Sequence, residues 1–311
     1  MKVLARMSLR SKVILGVVLY IALLVALAVI FGNHGQNTAY QPQNEFKLDD
    51  WVSIKLGSVD LSLNKAVLYL FLATVLTVVS MVWIARRMQA RPNKVQTAVE
   101  VVYGLMHDNI SGPNNIEPTM SAKWFPFIGA LFLFIWFSNM LGYIPLPVNT
   151  EETFNVFGLH IPAFQIYAAT ANISVTLALT LMVWFSYQFE GIRAKGFVGY
   201  IKSWLPAGLD NVPVRYVMIP FIFGIEVISQ FVRIVSLSVR LFANILAGHL
   251  LILFMGGGLV VLLGLAALGA VTLPIAIVFF LFEVVLIATL QAFIFATLTA
   301  IYLGGAVAES H

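Results

Sequence analysis

The sequence predicts an all-α polytopic membrane protein. It has about six membrane helices, the last two long and strongly tilted, plus an amphipathic helix on the cytoplasmic face. Three observations predict this. Only 10% of the residues are charged and 60% are hydrophobic, whereas soluble domains carry about 25% charged residues. Apolar segments recur at or beyond the roughly 20 residues that cross a bilayer. Clusters of Lys and Arg between them fall on one side throughout, which sets orientation. The mean hydropathy of +0.93 agrees. There is no cysteine, so disulfides and thiolate metal sites are excluded. The net charge of +4 is not a nucleic-acid signature, and no nucleic-acid partner is expected.

Residues 1–31 form the first segment: Lys2, Arg6, Arg10 and Lys12, then an apolar stretch from Val13 to about Phe31. It reads as a signal-anchor helix with a cytoplasmic N-terminus or as a cleaved signal peptide, since Ala26-Leu27-Ala28 resembles a cleavage site. Residues 32–64 are a polar extracytoplasmic segment with short strand-like alternation around Trp51–Leu56. The membrane domain covers 65–303, with a cytoplasmic tail at 304–311. Its first span runs from about Ala66 to Ile84 and ends in Arg86, Arg87, Arg91 and Lys94, placing that end in the cytoplasm. From Lys94 to about Ile110, Val95, Val99, Val102 and Met106 recur at helical spacing among polar residues, which is an amphipathic helix lying on the membrane surface.

The next span covers about Trp124 to Tyr143, and an outer loop with Pro145, Pro147, Glu151, Glu152 and His160 follows. Another span, about Ile166 to Phe189, contains Asn172, Ser174, Thr176 and Thr180, and is followed by cytoplasmic Arg193, Lys195 and Lys202. Two apolar segments, about 216–256 and 265–303, finish the chain, with Gly256-Gly257-Gly258 as the expected turn. Each is nearly twice the length of a simple span, so each must tilt or curve strongly.

Arg240 stands in the middle of the first long segment. An arginine there costs roughly 2.5–3.5 kcal/mol of insertion free energy and cannot shed its proton to escape it. On a helical wheel centred on Arg240, Ser236 falls at about −40°, Arg233 at about +20°, and Glu226 and Asn244 at about +40°, one polar stripe. His249 falls at about 180°. The last helix adds Glu283, Thr289, Gln291 and Thr297. Run antiparallel, it brings Glu283 and Gln291 opposite His249 and Asn244. Bland roles exist for several of these. Asn172, Thr180 and Gln291 could serve only to bond between helices. Ser238 could bond back to its own helix, and Glu226 with Arg233 could be a structural ion pair. No zinc, di-iron or phosphate-cradling pattern is present, so no catalytic site, cofactor or metal is expected.

The stretch Ser236-Leu-Ser-Val-Arg240-Leu-Phe-Ala-Asn244-Ile-Leu-Ala-Gly-His249 closely resembles the signature of subunit a of rotary F-type ATP synthases. Leu290–Leu303, Lys94–Glu100 and Ala171–Leu177 resemble other recurring stretches of that family, and the similarity covers about residues 50–303. The resemblance implies a proton-translocating stator against a rotating ring of c subunits, held by peripheral-stalk b subunits in lipid of a bacterial inner membrane, with the C-terminus cytoplasmic. Arg240 matches the essential arginine between two offset half-channels. The outer one would use Asn244, His249, Glu283 and Gln291; the inner one Glu226 and Ser236.

Two departures from the family pattern stand out. Some members carry an acid where His249 stands and a histidine on the last helix, so the pair is swapped here. The last-helix partner lies seven residues before the glutamine in other members, whereas Glu283 lies eight before Gln291. On a regular helix that turns it by about 100°. A different reading is a self-contained proton-coupled secondary transporter, which requires internal repeats; none is visible. A third, a purely structural scaffold, requires that Arg240 tolerate replacement.

Overall fold

The computed structural model describes part of residues 15–29 and then residues 46–307, with breaks at 49, 57–58, 61, 90–92, 107–117, 157–158, 206–214 and 259–265. The described residues of 15–29 are helical; whether that segment is retained or cleaved, like most of the polar segment 32–45, lies outside the described residues. The chain divides into two compact units, residues 1–47 with 247–285, and residues 48–246 with 286–311.

In the second unit the chain opens with a short antiparallel hairpin, β1 (Lys55–Leu56) and β2 (Val59–Asp60), where the alternating stretch was expected. Asn64 then starts α1 (Lys65–Arg87), its side chain accepting from the Val67 N–H, which satisfies one of the unbonded donors of a first turn. Arg86 and Arg87 close the helix. Asn93 similarly starts α2 (Lys94–Met106), accepting from the Gln96 N–H at 2.9 Å while donating to the Arg87 carbonyl at 2.7 Å. One side chain thus ends the first span and begins the amphipathic helix; the expected continuation to Ile110 lies outside the described residues.

Helix α3 (Pro118–Leu141) begins earlier than expected. The segment after it is not an irregular loop but an antiparallel hairpin, β3 (Leu146–Val156) and β4 (Leu159–Gln165), with register shifts between Pro147 and Asn149 and between Asn149 and Thr153. Prolines argue against a central strand, but a two-stranded hairpin has only edges, so Pro147 and Pro162 are tolerated at the cost of an irregular ladder. Helix α4 (Ile173–Lys195) starts later than the apolar run implied. Asn172 is its cap, accepting from Ser174 N–H at 2.9 Å, and is not a polar group within the span. Before it, burial pushes the Tyr167 hydroxyl up to about 12, opposed by its hydrogen bond with the Asn172 side chain. Gly196, at φ 71°, turns the chain into the short α5 (Phe197–Lys202).

The first long helix is α6 (Arg215–Leu253), extended by a π-helical turn over Phe254–Gly258. The glycine run therefore continues the helix, contrary to its expected role as the turn; residues joining it to the next helix lie outside the described residues. The final segment is α7 (Ala266–Phe282), a π turn (Glu283–Ile287) and α8 (Ala288–Val307). Among the described residues five helices are long and apolar enough to cross a membrane, the last two at 39 and 36 residues. Upright, the longer would extend about 58 Å through a core of about 30 Å, so both lie steeply tilted.

Packing in the second unit centres on α8. Ala288, Ala292, Ala296, Ala300 and Gly304 recur every fourth residue and are buried where α8 packs on α3 and α4. Small side chains let backbones approach closely, the packing that lipid cannot replace. Polar contacts fix the register. Asn139 of α3 donates to the Ala288 carbonyl at 3.2 Å and accepts from the Thr170 hydroxyl at 2.7 Å. Trp136 donates to the Thr289 hydroxyl at 3.2 Å. At the ends of α3 and α4, Lys123 pairs with the buried Glu190.

Candidate functional site

Helix α6 of the second unit buries Ile234, Leu237, Leu241 and Ile245, one apolar stripe at helical spacing. Ser238, on the same side, donates back to the Ile234 carbonyl at 2.9 Å, the local role expected of it. Turned away from this stripe, Ser236, Arg240 and Asn244 are exposed, beside Val232, Val235 and Val239, themselves 57%, 58% and 41% exposed. The Arg240 guanidinium makes no hydrogen bond or ion pair among the described residues.

The rest of the predicted stripe behaves differently. Arg233 Nη2 lies 3.6 Å from Glu226 Oε1. Gln230 Nε2 donates to the same carboxylate oxygen at 2.9 Å. Gln230 Oε1 in turn accepts from the Tyr187 hydroxyl of α4 at 2.7 Å and from Gln188 Nε2 at 3.5 Å. The Arg233 guanidinium sits 5.4 Å from the centre of the Tyr302 ring of α8, within range of a cation–π attraction. The Tyr302 and Tyr187 rings are 5.8 Å apart. These contacts close a circuit, Glu226–Gln230–Tyr187–Tyr302–Arg233, around a cavity of about 460 Å³ that also reaches Lys195, Tyr200, Ser203 and Trp204. The cavity is polar and roomy enough for water. At its rim burial pushes the Tyr200 hydroxyl up, against its hydrogen bond with Trp204 and the Arg233 charge. Trp204 stacks on Phe223 at 5.8 Å, which holds the start of α6 over the turn after α5.

Gln291 is buried on α8, on the same face as Ala288, Ala292 and Phe295. It is part of the face that packs on the other spans.

In the first unit His249 is 1% exposed and Glu283 is 8% exposed. The Glu283 carboxylate lies against Gly248, the residue before His249; a Cβ at Gly248 would overlap it. A larger side chain at position 248 would make the Glu283 carboxylate shift. Glu283 also opens the π turn Glu283–Ile287. A π turn bonds i to i+5 and so holds one residue more than an α turn. The offset of about 100° expected for a regular helix does not apply, because the helix is not regular where the eighth residue enters.

The polar stripe thus splits into a paired group (Glu226, Arg233) and a bare one (Ser236, Arg240, Asn244). Gln230, Tyr187 and Tyr302 were not singled out from the sequence. Gln230 stands four residues after Glu226, a helical neighbour spacing that could have found it. Nothing in spacing marks Tyr187 or Tyr302.

The family model described as ATP synthase A chain matches residues 67–304. ATP synthase subunit a of Rubrobacter xylanophilus is 35% identical over 254 residues, covering 81% of this chain and 88% of that protein. The subunit a of Hyphomonas neptunium is 31% identical over 280 residues, covering 88% and 98%. That of Maricaulis maris is 32% identical over 281 residues, covering 87% and 98%.

Proposed function

Because this chain belongs to the ATP synthase subunit a family, we propose that it is the proton-translocating stator subunit of an F-type ATP synthase, working through Arg240. The observation that carries the reading is the setting of that residue. A permanent cation stands on an exposed, largely apolar face of a membrane helix, with no partner for its side chain among the described residues. Its insertion cost of roughly 2.5–3.5 kcal/mol is offset most directly by an anion brought from outside the chain. The membrane-embedded carboxylates of a c-ring are such anions.

The chemistry follows from the charge. A fixed cation favours the ionised form of an approaching carboxylate, so each rotor site gives up its proton as it nears Arg240. The same cation bars protons from passing directly between the two sides. Glu226 and Ser236 serve the inner route, with the water-accessible cavity around Glu226 supporting that role. His249 and Glu283 serve the outer route; the tight seat of Glu283 against Gly248 supports it. Histidine titrates near neutral pH and can exchange protons there. Asn244 and Gln291 are assigned to the outer route from the family resemblance. Each proton crossing with the field releases about 2.3 kcal/mol per 100 mV, available as torque. The subunit is multi-pass; we place it in a bacterial inner membrane with a cytoplasmic C-terminus, beside the c-ring and the peripheral-stalk b subunits.

The test is Arg240→Ala, with ATP synthesis and ATP-driven proton pumping measured in membrane vesicles. Synthesis should fall by about 100-fold or more, the equivalent of about 2.7 kcal/mol on the barrier, while the subunit still co-purifies with the c-ring. Normal coupling in that variant would sink the reading.

A further inference from the structure

We propose that Gln230 is a positioning residue for Glu226, its side-chain amide anchored by the Tyr187 hydroxyl so that it holds the Glu226 carboxylate at the wall of the cavity. The inference rests on the inner-route role given to Glu226 above.

Gln230 is 5% exposed, so its amide must find partners inside the protein. An ionised carboxylate only accepts hydrogen bonds, and a tyrosine hydroxyl supplies one proton to donate. The amide therefore fits only one way round. Its oxygen receives the Tyr187 hydroxyl and the Gln188 amide, and its NH₂ faces Glu226 Oε1. Reversed, two acceptors would face each other at the carboxylate. The acceptor-only carboxylate thus sets which way round the amide stands, and the Tyr187 hydroxyl and Gln188 amide hold it there.

Arg233 alone is a weaker anchor. It stands 3.6 Å from the same oxygen, its side chain is 37% exposed, and its guanidinium is shared with the Tyr302 ring. Gln230 is the closer donor and is shielded from solvent. The other titratable groups facing the cavity are Lys195 and Tyr187 of α4, Tyr200 of α5 and Tyr302 of α8. In their midst Glu226 is the only carboxylate lining it among the described residues. With the Gln230 hydrogen bond and the Arg233 ion pair both at Oε1, the other oxygen is left for water, the geometry a proton-exchanging group needs.

The structural alternative is that Gln230 merely ties α6 to α4. The two differ in how they respond to Glu226. ATP-driven proton pumping by the whole synthase in inverted vesicles would be followed against pH for Gln230→Leu, Tyr187→Phe, Glu226→Gln and the pair Gln230→Leu with Glu226→Gln. Removal of a donor from a carboxylate favours its protonated form. Gln230→Leu should therefore move the pumping profile to higher pH and slow it several-fold. Tyr187→Phe, which keeps Gln230 in place, should do the same to a smaller degree and covers the case in which the leucine variant does not assemble. In the Glu226→Gln background Gln230→Leu should add nothing. Additive losses, or slower pumping with an unmoved profile, would overturn the positioning role. An unmoved profile in Glu226→Gln itself would instead remove Glu226 from the proton route, and this proposal with it.

Discussion

Arg233 and Arg240 stand two turns apart on one helix, within one unit, and live in opposite surroundings. Arg233 has a carboxylate at 3.6 Å and an aromatic ring at 5.4 Å, inside a polar circuit that spans three helices. Arg240 has neither among the described residues; exposed Ser236 and Asn244 flank it, with valines to one side. The charge is the same, so the difference lies in who supplies the counter-charge. The chain completes Arg233 by itself. On the function proposed above, Arg240 is completed by another molecule. A polar group satisfied within the chain contributes to stability; one left bare in hydrocarbon is retained for what it meets.

The comparison is sharpest if both arginines are replaced. Arg240→Ala should cost almost all coupled ATP synthesis, about 100-fold or more, with no loss of thermal stability of the detergent-solubilised subunit, since no hydrogen bond or ion pair among the described residues is broken. Arg233→Ala should reverse the pattern. It uncovers Glu226 and the Tyr302 ring, so the melting temperature should fall by the equivalent of about 1–3 kcal/mol, while synthesis drops only several-fold. Equal loss of coupling in both variants would erase the distinction drawn between them.

A second buried site lies in the other unit. Gly248→Ala drives a methyl group into the Glu283 carboxylate. Overpacking typically costs about 1–3 kcal/mol, and here it displaces a residue assigned to the outer proton route, so pumping and stability should fall together. Shortening the carboxylate by one methylene, as Gly248→Ala with Glu283→Asp, should restore part of both. If the double variant is no better than Gly248→Ala alone, the contact is not what limits the site.

What the sequence made legible follows the same division. Arg240 was visible because a charge in an apolar run is expensive wherever it stands. The five spans from residue 65 onward, and their order, were visible because length and hydropathy are local properties. Of the partners of Arg233, Glu226 was visible as an ion pair on the same helix, but the Tyr302 ring was not, because contacts between helices leave no local trace. Lys123 and Glu190 are 67 residues apart, and Tyr187 and Tyr302 look like any other aromatic residues of a membrane helix. The π turn at Glu283 was hidden because a helical wheel assumes a uniform 100° step, although the eight-residue spacing to Gln291 was its trace. The hairpin at 146–165 was read as a loop because Pro147 and Pro162 weaken any strand pattern. Asn172 was placed inside a span because a cap and an embedded amide look alike in one sequence.

The smallest expected effect concerns Asn139, fully buried and satisfied within the chain. Its amide bonds both the Ala288 carbonyl, where the π turn gives way to α8, and the Thr170 hydroxyl. Leucine has a similar volume, so Asn139→Leu leaves little cavity but strands both partners. Hydrogen bonds between membrane helices average about 0.6 kcal/mol, and a buried group left unsatisfied costs about 1–3 kcal/mol. Stability should therefore fall by about 1–2 kcal/mol, read as a lower melting temperature, with proton pumping per assembled complex unchanged. Adding Thr170→Val removes one stranded group, and because deleting both partners of a buried bond is nearly neutral, the double variant should be more stable than Asn139→Leu alone. It should not return to the starting stability, because the Ala288 carbonyl still lacks its donor. A loss of pumping per complex in Asn139→Leu would place this residue with Arg240, among the groups kept for function, and not with Arg233.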